Sequence, residues 1–258
     1  MNKVCQIQAL VSGLLAKALL LLFVSFTPPL IYLVWIRNTE IYEREPWRAV
    51  LKVFIWGAFI ATITAAFIEI LLLIAANQAI VLQREYEYLA RNKSFMALLL
   101  VCAIAPLAEE FTKGLGVFIA RRYIDEVEDG LVYGASSGLG FAAMENLLYD
   151  LSAMSAGLIV FVFTSVLRAI SSALLHASAT AVTGYGISRK IVYGPRYHII
   201  PFYFLAVLMH ATFNFMASLY LIFGGTVPVL GILVAVIFAI FSIKAVRRKI
   251  IRLDRGMR

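Results

Sequence analysis

Long apolar runs constrain this chain more than any other feature. A helix rises about 1.5 Å per residue and the hydrocarbon core of a bilayer is about 30 Å thick, so about 20 consecutive, mostly apolar residues make one crossing. Seven stretches meet that length: 10–36, 49–76, 94–120, 130–149, 157–186, 199–222 and 226–246. They use up most of the 258 residues, in a chain that is 62% hydrophobic. In lipid each backbone N–H and C=O must be satisfied within the chain, so such runs become helices. The expected fold is therefore all-α, a polytopic transmembrane helix bundle of about seven spans forming one membrane domain over 1–258. No soluble domain, internal repeat or linker is left over. The first run is too long for a cleaved signal peptide and lacks a small-residue cleavage site, so it reads as a span. Pro28-Pro29 is expected to kink it or end it early.

The net charge of +8 does not point to nucleic acid. The basic residues sit at the ends of spans, where the positive-inside rule places them. With seven spans, one side carries Lys3, Arg84, Arg91 and Lys93. The other carries Arg37, Arg44, Arg48, Lys52, Arg121, Arg122, Arg189, Lys190 and Arg196. It also carries a tail with Lys244, Arg247, Arg248, Lys249, Arg252, Arg255 and Arg258. The imbalance predicts a multi-pass protein of the cell membrane, with its N-terminus outside and its C-terminus cytoplasmic, touching the lipid bilayer and no nucleic acid. Two cysteines, Cys5 and Cys102, give no disulfide framework. The segments Gln83 to Tyr88 and Asp125 to Asp129 read as solvated loops.

Ionisable groups inside spans cost about 2.5–3.5 kcal/mol each on insertion scales, so they persist when paired or when they line a functional cavity. Here they are Glu69, Glu109, Glu110, Lys113, Glu145, Arg168, His176 and His210, joined by the amide of Asn214. Glu109 lies 12 residues from Arg121, Glu145 lies 16 from Asp129, His176 lies 13 from Arg189, and His210 lies 14 from Arg196. At about 1.5 Å per residue, four side chains on four helices reach a similar depth. Independent structural pairs need not do so, whereas one polar site between helices would. Glu109 and Lys113 are i,i+4, as are His210 and Asn214, so each pair shares a helix face. Two adjacent glutamates beside a lysine suit acid–base chemistry. Gly134, Gly138 and Gly140 in span four, with Gly184 and Gly186 in span five, would let helices approach closely. Glu69, with no motif around it, reads as a structural partner for Lys113 or Arg168.

At these residues the chain resembles a known family. Glu109-Glu110-Phe111-Thr112-Lys113 is similar to the Glu-Glu-x-x-Lys motif of the PrsW-type intramembrane proteases. Asp129-Gly130 and Gly140-Phe141 through Glu145-Asn146 resemble their second motif, His176 with Thr180 and Gly184 the third, and His210 through Asn214 the fourth. The likeness covers roughly residues 100–215, in order, one motif per span. These proteases share a superfamily with the CAAX prenyl endopeptidases and bacteriocin-processing proteins. Glu145, where the CAAX branch has a histidine, favours the PrsW branch and argues against a prenylated substrate.

The resemblance implies an intramembrane glutamic-type endopeptidase, with 100–215 as its catalytic core of spans three to six. It would cut a membrane protein substrate in or near its transmembrane segment, as in regulated proteolysis of an anti-sigma-like regulator. Glu109 would activate water, with Glu110 the close second. Glu145 would share or orient the water, His210 and Asn214 would donate to the oxyanion, and His176 would complete the site. Lys113 and Arg168 would support the carboxylates. No cofactor is needed in that scheme. A zinc version, with Glu109, Glu145, His176 and His210 as ligands, stands as the alternative. A non-catalytic scaffold of the same superfamily is the other function class, although a scaffold can do without the three glutamates that this chain keeps. A proton-coupled transporter is disfavoured by the lack of repeat symmetry.

Overall fold

In a computed structural model, which describes residues 3–82 and 92–256, all regular structure is helical. Gln83 to Tyr88 and the charges Arg84, Arg91 and Arg258 lie outside the described residues, as does the side chain of Lys3. The elements are α1 (Lys3–Arg37), α2 (Trp47–Ile55), α3 (Thr62–Leu82), α4 (Lys93–Leu99), α5 (Ala105–Val117), α6 (Asp129–Ala156), α7 (Leu158–Ile170), α8 (Ser172–Tyr193), α9 (Ile200–Ala217) and α10 (Val227–Gly256). A π-turn, Trp56–Ala61, joins α2 to α3, and another, Leu100–Ile104, joins α4 to α5. Joined this way the helices make seven crossings, as expected.

Six of the described segments are long and apolar enough to cross a membrane, and α6 is not among them. Its 28 residues suffice in length, but its glycines, serines and acids make it polar. It can be polar because it is the central helix, buried from Asp129 to Ala143. A Cβ on Gly134 or Gly138 would collide with the backbone of Thr180 or His176 on α8. On the opposite face, a Cβ on Gly140 would meet the backbone carbonyl of Phe54 on α2. Small residues thus let two helices touch α6 at backbone distance, which is how membrane helices associate without a hydrophobic drive. The outer faces carry exposed Leu, Ile, Phe and Val, such as Phe23, Ile63, Ile159 and Phe241, as lipid contact requires.

Three expectations need correction. Pro28 and Pro29 lie inside α1, which does not end early but runs on to Arg37; membrane helices tolerate proline where neighbouring groups and local adjustments re-satisfy the freed backbone carbonyls. The fifth crossing is two helices, broken at Ser171 (φ −124°, ψ −69°), where the Ser171 hydroxyl donates to Leu167 O instead of continuing the ladder. The acidic run before α6 is not a solvated loop, because Glu128 and Asp129 are buried.

Candidate active site

The four helices predicted to converge do so. Glu109 on α5, Glu145 on α6, His176 on α8 and His210 on α9 meet in the interior, and the donor atoms of Glu109, His176 and His210 lie within 4.8 Å of one another. The π-turn at Leu100–Ile104 precedes Glu109 by one turn of helix. The carbonyl of Val101 in that π-turn accepts a hydrogen bond from Asn214 Nδ2 at 2.8 Å. Backbone irregularities of this kind gather at functional sites because they free a carbonyl from the helix ladder. One donor of the Asn214 amide is therefore spent on holding the turn that precedes α5.

Each histidine is held by a carboxylate on one nitrogen. His176 Nε2 is 2.8 Å from Glu145 Oε2, and His210 Nδ1 is 3.0 Å from Glu110 Oε1. The other nitrogens, His176 Nδ1 and His210 Nε2, each stand 3.9 Å from Glu109 Oε2. The two rings meet edge to face, with centroids 4.8 Å apart. Lys113 Nζ lies at the centre, 2.7 Å from Glu110, 3.2 Å from Glu109 and 2.9 Å from His176 Nδ1, over the ring of Phe141. Arg168 reaches back from the end of α7 to Glu145 at 2.7 Å, and also to Asn146 and Ser172. The break at Ser171 is what lets Arg168 and His176, on successive helices, grip the same carboxylate.

A cavity of about 400 Å³ opens beside this cluster, lined among others by Glu109, Glu145, His176, Arg168 and Asn214. Glu110, His210 and Lys113 stand behind that wall. Glu110 is fully buried and held by Lys113, His210 and the Thr180 hydroxyl, so it has no edge free for substrate. Glu69 and Tyr149 also face the cavity. Sequence reasoning set Glu69 aside as a partner of Lys113 or Arg168, yet it forms no ion pair with either among the described residues. Its signal was the same as that of Glu109, an acid deep in an apolar span.

The model of the family described as "PrsW family intramembrane metalloprotease" matches residues 45–243, and so takes in all four helices of the cluster. The chain belongs to this family. It is 30% identical over 202 residues to Protease PrsW of Clostridioides difficile (strain 630), covering 76% of this chain and 78% of that one. It is 29% identical over 180 residues to Protease PrsW of Geobacillus kaustophilus (strain HTA426), covering 68% and 69%. No solved structure matches.

The family description implies a metal, and the donor set fits one. Two imidazoles and a carboxylate are the donor types of a zinc triad, and a ligating histidine characteristically carries a carboxylate on its other nitrogen. Glu110 and Glu145 stand in that second position here. Glu145 therefore differs from its expected place as a ligand: it backs His176. One feature resists, since the Lys113 ammonium occupies the space a cation would share with His176 Nδ1 and Glu109.

Proposed function

We propose that this chain is an intramembrane endopeptidase that cuts a peptide bond in or near a transmembrane segment of a membrane protein, at the cavity beside Glu109, with residues 100–215 as its catalytic core. The observation that carries this reading is the pair of histidines, each fixed by a carboxylate, with the remaining nitrogen of each 3.9 Å from Glu109 and that of His176 also 2.9 Å from Lys113. In the favoured form Glu109, His176 and His210 hold a zinc ion. Bound there, zinc would polarise the scissile carbonyl and lower the pKa of a water.

The protein's own groups do the rest. Glu110 and Glu145 fix which nitrogen of each ring faces inward. Arg168 holds Glu145 at the cavity wall, where the carboxylate takes the proton from the attacking water and passes it to the leaving nitrogen. The surrounding apolar helices keep bulk water out and strengthen each of these contacts. Asn214 holds the π-turn that sets the depth of α5. The substrate would approach between lipid-exposed helices, with an anti-sigma-like regulator as one candidate, and the basic C-terminal side would face the cytoplasm of a cell membrane.

The position of Lys113 favours a second reading, in which the lysine supplies the positive charge and Glu109 is itself the base. Chelation separates the two. Membranes holding the wild type are compared with membranes holding Glu109→Gln by mass spectrometry of peptide termini, before and after a chelator. New termini within or beside single spans, present only with the wild type, lost on chelation and restored by zinc, support the first form. Cleavage that survives chelation supports the second, and identical termini in both samples would remove the peptidase reading.

A further inference from the structure

A second group of carboxylates lies at the opposite end of α6 from Glu145. The connection between α1 and α2 turns back into the protein and buries Glu40 completely and Glu45 nearly so. Oxygens of Glu40, Glu45 and Asp129, the last at the start of α6, come within 4.8 Å of one another. Buried Glu128 adjoins them, and buried Asp254 of α10 accepts from the backbone N–H groups of Ile41 and Tyr42.

The donors around this group are placed selectively. Glu40 Oε2 accepts from Glu45 N at 3.3 Å. Glu45 Oε2 accepts from the Tyr133 hydroxyl. Asp129 Oδ2 accepts from the N–H groups of Asp125 and Glu126, at 3.0 and 2.8 Å. One oxygen of each carboxylate is thus held in position. The remaining oxygen of Glu40, Oε1, is buried and accepts from no donor, and Glu128 Oε1 is a second buried oxygen with none. Unsatisfied buried oxygens are rare and call for an explanation.

Among the described residues no cationic side chain supplies one. The lysine and arginine ion pairs among the described residues all lie at the Glu109–Glu145 cluster. Arg37 and Arg44, the nearest in sequence, donate to the backbone carbonyls of Glu45 and Glu40 and leave the carboxylates alone. As bare anions the three would oppose folding, so they require a proton or a positive ion between them.

We propose that Glu40, Glu45 and Asp129, with Glu128 beside them, form a binding site for a divalent hard cation of the magnesium, calcium or manganese class. All the donors are carboxylate oxygens, and Glu40, Glu45 and Asp129 are each already oriented by a hydrogen bond to one oxygen. That is the chemistry such ions select, whereas the imidazole-containing cluster suits zinc. The ion would tie the α1–α2 connection to the first turn of α6, the helix that carries Glu145.

Full-length protein in detergent, stripped with EDTA and dialysed, is titrated with Mn²⁺ and followed by electron paramagnetic resonance. One saturable Mn²⁺ per chain is expected, displaced by excess Mg²⁺ or Ca²⁺ and showing no coupling to histidine nitrogen in pulsed spectra. That last readout needs no mutation and separates this site from the one at His176 and His210. Glu40→Gln is expected to weaken Mn²⁺ binding about tenfold or more. Glu40→Gln should melt no lower than the wild type in EDTA, because it removes a buried unpaired charge. If no saturable Mn²⁺ binds, or all bound Mn²⁺ couples to nitrogen, or binding survives Glu40→Gln combined with Asp129→Asn, the site does not exist and the carboxylates share protons. None of these outcomes depends on peptidase activity.

Discussion

The two acidic clusters of this bundle are built from the same residue type and differ in how their charge is balanced. At the inner cluster Lys113 and Arg168 stand within 2.7 Å of Glu110 and Glu145, the two histidines add four ring nitrogens, and one wall opens on a cavity. At the outer cluster Glu40, Glu45 and Asp129 have hydroxyl and backbone donors and, among the described residues, no cationic side chain. The first is an electrostatically closed set beside a cavity. The second is buried and electrostatically open. A buried carboxylate without a counter-charge asks for an ion, and one with a counter-charge can be spent on chemistry.

The largest effects should come from exchanging a carboxylate for its amide in each cluster. Glu109→Gln keeps the shape but removes a charge that both Lys113 and the histidines face, and cleavage should fall about a hundredfold or more. Its thermal midpoint should also fall, because Lys113 loses a partner in the interior. Glu40→Gln should move stability the other way in chelator, by about 1–3 kcal/mol, because an unpaired buried oxygen is relieved. Thermal unfolding of both variants in EDTA reads the contrast directly. If both shift in the same direction, the clusters are not balanced differently.

The inner cluster was legible in the sequence and the outer one was not, for a physical reason. Glu109, Glu145, His176 and His210 interrupt apolar runs, where an ionisable group must have a partner, and their distances from the span ends coincide. Helix geometry then turns residue counts into depth. Glu40, Glu45 and Asp129 sit among polar residues between spans, where an acid is ordinarily solvated, and nothing in their spacing says that the α1–α2 connection folds inward. Their partnership spans more than eighty residues and depends on how α1, α6 and α10 end together. The break at Ser171 escaped for a similar reason, since the apolar run through it is unbroken. The hydrogen bond from Asn214 to the Val101 carbonyl was not legible either, because only the π-turn frees that carbonyl.

Metal removal should divide the clusters next. A zinc-selective chelator is expected to abolish cleavage while leaving thermal stability near its value in Mg²⁺. EDTA, which removes both ion classes, should lower both, and Mg²⁺ should restore stability without restoring cleavage. Restoration of cleavage by Mg²⁺ alone would place the activating ion outside the histidine cluster. A smaller change follows from Arg168→Gln. It removes one of two groups gripping Glu145, and loss of such an orienting partner characteristically costs about 10–100-fold in activity. The loss should appear in kcat more than in KM, with Mn²⁺ binding at the outer site unchanged.

The smallest expected effect tests how the outer carboxylates are oriented. Tyr133 is fully buried on α6, one turn beyond Asp129, and its hydroxyl donates to Glu45 Oε2. Tyr133→Phe keeps the ring in the core and deletes one hydrogen bond, so the stability loss in chelator should be about 1 kcal/mol. Its effect on the ion should be larger in proportion. Glu45 would be free to rotate, and the site would have to order it on binding. The comparison that decides is the stabilisation Mg²⁺ adds to wild type and variant. If the hydroxyl only fills a gap in the core, the two gain equally. If it aims Glu45 at an ion, the variant gains less, and the inner cluster, where Arg168 does the same for Glu145, is oriented by the same device.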